Sequence, residues 1–123
     1  MPTVPISPRP LSVSERAVLE HILSCGFDGA AELRSQLDRT EVVARWSAES
    51  TSVDLRVREP VQHAALPSRL VPVGAQVVDE SGEFVGELLV WTDEGATLSG
   101  LEFAWVTDVM PTSLPPVDRI RLI

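Results

Sequence analysis

His21 and Cys25 stand four residues apart in a stretch of helical periodicity, the least geometry from which a metal pair, or a thiol nucleophile beside a base, is built. The chain has one further histidine, His63, and no other cysteine, so a zinc ion would have to draw its remaining ligands from distant carboxylates. The plainer reading makes Cys25 a small buried apolar residue and His21 a helix-surface residue near the negative end of the helix dipole. Adjacent carboxylates occur at Asp79-Glu80 and Asp93-Glu94. Both pairs fall in turn-like sequence, where neighbouring side chains point apart and solvent keeps their pKa values ordinary. No glycine-rich phosphate loop, GxSxG, HExxH or Asp-rich calcium loop is present. The expectation is a non-catalytic protein with no cofactor and no metal.

Charge is more informative once it is located. Residues 1–69 hold nine acids and eight arginines, residues 70–118 hold nine acids and no base, and Arg119 and Arg121 close the chain. The net charge of −8 therefore belongs to the second half. Such a field repels nucleic acid and anionic membrane and steers a basic partner, although solubility alone also accounts for it. All ten basic residues are arginine, a pattern expected of a GC-rich bacterial genome. A single cysteine forms no intramolecular disulfide, no apolar run reaches the length of a membrane span, and the proline-rich start lacks a signal-peptide core. Cytoplasmic residence is the expectation.

The elements that would position these residues follow from periodicity. With 123 residues, 44% of them apolar, the chain fits one domain with a packed core. Four prolines in residues 1–10 predict a flexible arm, leaving residues 11–123 as a single α+β domain. Ser12 three residues before Glu15 forms a capping box, and Ala17, Val18, Leu19, Ile22 and Leu23 form a helical stripe, so a helix is predicted over 13–24 with Gly26 as its left-handed cap. A second helix is predicted over 29–38, with Asp28 as N-cap and Ala30, Leu33 and Leu37 on its apolar face. The period then drops to two around Val42–Trp46 and Val53–Val57. Residues 59–72 hold three prolines and read as a long loop. A meander over 71–78, 84–91 and 98–106 completes the pattern; after Asp108 the prolines at 111, 115 and 116 predict an extended tail, with RIRLI too short to assign. The two helices should pack on one face of an antiparallel sheet of about five strands.

The hairpin from Phe84 to Val106 is the most apolar stretch, with two of the three tryptophans and two of the three phenylalanines. Alternation assigns Phe84, Gly86, Leu88, Val90, Leu101, Phe103 and Trp105 to the core. The opposite set, Val85, Glu87, Leu89, Trp91, Leu98, Gly100, Glu102, Ala104 and Val106, is too apolar for an ordinary solvent face and too charged for a core. Glu87, Leu89, Trp91, Glu102 and Val106 are thus the candidate interaction surface, unless the 59–72 loop or the terminal arms fold back over it.

The segments LSVSERAVLEHILSCGFDGAAELRSQL, EVVARW, STSVDLRV and SGEFVGELLVWTDEGATLSGLEFAW together resemble a family of small uncharacterised actinobacterial proteins, over roughly residues 11–110. Members usually carry a Cys-rich, CxCxC-like turn between the first two strands, where this chain has Trp46 to Ser50. The resemblance implies the helix–helix–sheet order and no activity. Two functions are open: an acidic protein-interaction module, immunity- or antitoxin-like or a homodimeric accessory protein, and a small-molecule binder with a pocket between helices and sheet, lined by Trp46 or Trp105.

Overall fold

A computed structural model describes residues 3–123, and the fold is α+β with a seven-stranded, wholly antiparallel sheet. Strand β1 (Val4–Pro10) precedes helices α1 (Val13–Leu23) and α2 (Ala30–Ser35). Strands β2 (Thr40–Arg45), β3 (Val53–Val57), β4 (Ala75–Val78), β5 (Phe84–Asp93), β6 (Thr97–Trp105) and β7 (Ile120–Leu122) follow. Their order across the sheet is β1-β2-β3-β6-β5-β4-β7. The two strands beyond the expected five are the edges. The proline-rich start is not a free arm from Val4 onward, because it pairs with β2 in the registers Val4↔Arg45 and Pro10↔Glu41; its first two residues lie outside those described. Prolines suit that position, since an edge strand needs only half its backbone donors. RIRLI, too short to assign alone, supplies β7, which pairs with β4 through Gln76↔Arg121.

Helix α1 starts where the capping box places it. Glu15 N–H donates to Ser12 Oγ (3.1 Å) and Ser12 N–H donates to Glu15 Oε1 (2.8 Å). Its other end is closed differently from expectation. Gly26 is not the cap; Ser24 is, in right-handed geometry, and the Arg34 guanidinium reaches back from α2 to the Leu23 carbonyl at 2.6 Å. Helix α2 is shorter than expected and its N-cap is Gly29 (φ +100°), not Asp28; a 3-10 turn over Leu37–Arg39 carries the chain into β2. Val18, Leu19, Ile22, Leu23 and Leu33 from the helices join Val42, Val53, Leu88, Val90 and Leu101 from the strands in one buried cluster. No helix among the described residues is long and apolar enough to cross a membrane.

Glu15 also ties α1 to the edge strand. It is only 5% exposed and takes a two-pronged bond from Arg9, at 2.8 and 3.0 Å. Burial alone would raise the pKa of its carboxyl, but the Arg9 guanidinium and the Ser12 amide and hydroxyl outweigh it and hold the value below the usual carboxylate range. A carboxyl with a lowered folded pKa contributes stability that is fully present above its unfolded pKa and is lost as pH falls through the folded one. Glu15→Gln is therefore expected to cost about 1 kcal/mol at neutral pH, discounted for the partly exposed Arg9. That difference should shrink as pH falls below the ordinary glutamate range and through the lowered folded pKa, where the wild-type carboxyl becomes protonated as well. Urea unfolding of both proteins across that range checks it.

Candidate functional site

The β5–β6 ladder brings most of the expected interaction surface together. Glu87 faces Ala104, Leu89 faces Glu102, and Trp91 faces Gly100, so the odd-numbered side chains of β5 share one face with the even-numbered ones of β6. The opposite face carries the buried Leu88, Val90, Leu101 and Phe103. Leu89, Trp91 and Glu102 are half-buried while Glu87 and Val106 are exposed, and the Trp91 indole lies over Gly100 and donates to Glu102 Oε1 at 3.0 Å. Val106 stands one residue past β6, its amide bonded to the Val85 carbonyl, and extends the patch along the strand.

Four assignments change, the first at Val85, expected outward, which packs against the core where the β4–β5 register shifts between Val77 and Val78. Phe84 and Trp105, expected in the core, are 49% and 40% exposed. Both are the terminal residues of their strands, and Gly86 opposite Trp105 presents no side chain to cover it. Leu98, expected outward, is buried. The register shifts between Trp91 and Thr92, where the pairing steps from Gly100 to Leu98; the extra residue on β6 reverses the alternation beyond it.

Strand β3 lies beside β6, with Asp54 opposite Gly100, and this extends the same face toward β2. The Trp46 indole donates to Asp54 Oδ1 at 3.1 Å. Between this corner and the end of β6 opens a cavity of about 630 Å³, lined by Trp46, Asp54, Glu102, Phe103, Trp105 and Met110 among others. Trp46 and Trp105 do share a cavity, therefore, but no residue of either helix lines it: it sits on the sheet and its β2–β3 turn. A second cavity, about 500 Å³, flanks Trp91 on its other side and is of mixed charge, with Arg56, Arg69, Glu59 and Asp93 on its walls.

The 59–72 loop does not lie across Trp91. Its last residues run beside β5 through Thr92 N–H to Arg69 O (2.7 Å) and Val71 N–H to Val90 O (3.0 Å), in the position that β4 occupies further along. Its middle is anchored on the hairpin turn, where Ala64 and Leu66 bond the carbonyls of Ala96 and Gly95. His63 bonds Glu59 at 2.8 Å on the exposed side of this loop. The side-chain amide of Gln36, at the C-cap of α2, holds the same junction through the Gln62 and Ala96 carbonyls and the Leu98 amide.

The remaining chemical candidates lie apart. The His21 ring on α1 faces the Ile120 carbonyl of β7 at 3.4 Å, and Cys25 is half-buried rather than fully buried. Among the described residues, no group of three or more His, Cys, Asp or Glu is placed to hold a metal ion. Asp79 departs from the ordinary value expected of it. Bonds from the Ser81 hydroxyl and the Glu83 amide, and from the Ser81 amide, hold its carboxyl below the usual range. They close the β4–β5 turn. Comparison with protein-family models, with curated proteins and with solved structures returns no match.

Proposed function

We propose that the chain is a non-catalytic, acidic protein-interaction module whose outer sheet face docks a basic protein, in the manner of an immunity protein or antitoxin. The observation that carries this reading is the face itself: Leu89 and Trp91 with the carboxylates of Glu87 and Glu102 around them, continued by the exposed Val106. The reading takes the two helices as covering the inner face, which leaves the outer one for a partner. A half-buried tryptophan, bonded to Glu102 and flanked on its other side by the mixed charges of Arg56, Arg69, Glu59 and Asp93, supplies an anchor, and Glu87 and Glu102 supply charge that steers a basic partner. Homodimerisation through this face is disfavoured, since a second copy would set Glu87 and Glu102 against their own kind.

The test is capture of a partner by immobilised wild-type protein and by Leu89→Glu, Trp91→Ala and Glu87→Arg variants, with light scattering on the protein alone. Expected is a monomer that retains a stoichiometric basic protein, released as salt rises and lost with Leu89→Glu. Glu87→Arg, at an exposed position, should weaken capture about ten-fold without altering stability. Retention of every partner by all three variants would sink the reading.

A second reading, a small-molecule-binding domain, is favoured by one observation: the cavity shared by Trp46 and Trp105. Native mass spectrometry of protein purified without denaturation should then show a bound mass, and its loss with Trp105→Ala.

A further inference from the structure

Resting on the small-molecule reading, we infer that the cavity between Trp46 and Trp105 is a site for a small organic cation, an ammonium carried on an apolar body. Its volume of about 630 Å³ lies within the range of small-ligand sites. Its walls are of three kinds. Trp46, Trp105 and Met110 present apolar and aromatic surface, Asp54 and Glu102 contribute carboxylates, and Ser47, Ser50 and Ser52 contribute hydroxyls.

Among the described residues no basic side chain lines the cavity and neither carboxylate forms an ion pair. The guanidiniums nearest in sequence are engaged elsewhere: Arg45 donates to the Ala48 carbonyl at 3.2 Å, and Arg56 lies 3.8 Å from Glu41. Each carboxylate instead receives an indole N–H, Asp54 from Trp46 at 3.1 Å and Glu102 from Trp91 at 3.0 Å. One indole bond leaves most of a carboxylate's acceptor positions free. It also pushes electron density into the donating ring, which strengthens the attraction of the Trp46 face for a cation.

The charge of the occupant follows by elimination. An anion would meet two carboxylates and, among the described lining residues, no basic side chain. A neutral ligand that filled the cavity would strip water from both carboxylates and return no counter-charge. A metal ion would find only two carboxylates, for among the described residues no group of three or more His, Cys, Asp or Glu is placed to hold one. An alkylammonium satisfies these walls at once: its charge lies against the carboxylates and the tryptophan faces, its N–H groups reach the hydroxyls, and its carbon body lies against Met110.

Three ligands with one body and different heads test this on the full chain: 2-phenylethylammonium, 2-phenylethanol and phenylacetate, followed by calorimetry and by the indole N–H resonances of Trp46 and Trp105. The ammonium should bind at least about ten-fold more tightly than the alcohol, and phenylacetate should not bind. Asp54→Asn with Glu102→Gln keeps both indole acceptors and removes both charges, so it should bring the ammonium down to the affinity of the alcohol. Trp105→Ala, at an exposed position, should weaken both ligands without unfolding the protein. Equal affinity of ammonium and alcohol, or an ammonium affinity unchanged in the double variant, overturns the cation assignment and leaves a small-molecule site standing. Binding by none of the three overturns both.

Discussion

Gln36→Leu should lower the unfolding free energy by about 3 kcal/mol, and the melting temperature by about 12 °C for a domain of this size. The residue is 0% exposed, and its side-chain amide is fully used. Nε2 donates to the carbonyls of Gln62 (2.8 Å) and Ala96 (2.9 Å), while Oε1 accepts the amide of Leu98 (3.0 Å). One side chain thus joins the end of α2 to the 59–72 loop, the hairpin turn and β6. Leucine is close in volume, so the loss comes from stranded polar groups rather than a cavity. Ala96 O keeps the Ala64 amide, but Gln62 O and Leu98 N–H are left without these partners, at about 1–3 kcal/mol each. Gln36→Glu should be worse still, because a carboxylate would set an acceptor against two carbonyl oxygens. Denaturant unfolding measures both. A loss below about 1 kcal/mol for Gln36→Leu would show that water replaces the amide without penalty.

Gly95→Ala should cost about 2–3 kcal/mol and release the loop before the rest of the domain. Gly95 sits at φ +79°, a conformation that disfavours any side chain. A Cβ there would overlap the Leu66 carbonyl oxygen and lie 3.1 Å from its nitrogen. Both obstacles are backbone, so no rotamer change relieves them. Moving that backbone would break the bond from Leu66 N–H to Gly95 O (3.1 Å) and withdraw the buried Leu66 side chain. Hydrogen exchange should therefore accelerate at Ala64 and Leu66 while α1 keeps its protection. Because Glu59 and Arg69 flank Trp91 in the adjoining cavity, its fluorescence should also shift to the red. Uniform acceleration across the domain would mean that the loop has no independent opening.

Much of the fold was legible because it is locally encoded. The capping box of Ser12 and Glu15, the stripe from Val18 to Leu23 and the period of two in β2, β3, β5 and β6 each depend on residues within a few positions of one another. Strands β1 and β7 were missed because what makes them strands lies far away: Val4 pairs with Arg45 and Ile120 with Val77. Leu98 was misassigned because a one-residue bulge reverses a face and leaves no mark in composition. Gln36 offered one signal, a position three residues after Leu33 on the apolar face of α2, where a polar side chain has to find partners.

By itself the sequence determined the α+β class, the core residues Leu88, Val90, Leu101 and Phe103, and the sign of the field around the hairpin. Tertiary structure alone decided what that hairpin stands beside. Alternation states which side chains share a face of one strand but not which strand is its neighbour, since that depends on the packing of the whole sheet. Placing β3 against β6 sets Asp54 and Trp46 beside Glu102 and Trp105 and makes the cavity. It also sets Arg56 beside Trp91, with Arg69 delivered there by the loop, so the acidic half of the chain is not a purely acidic surface.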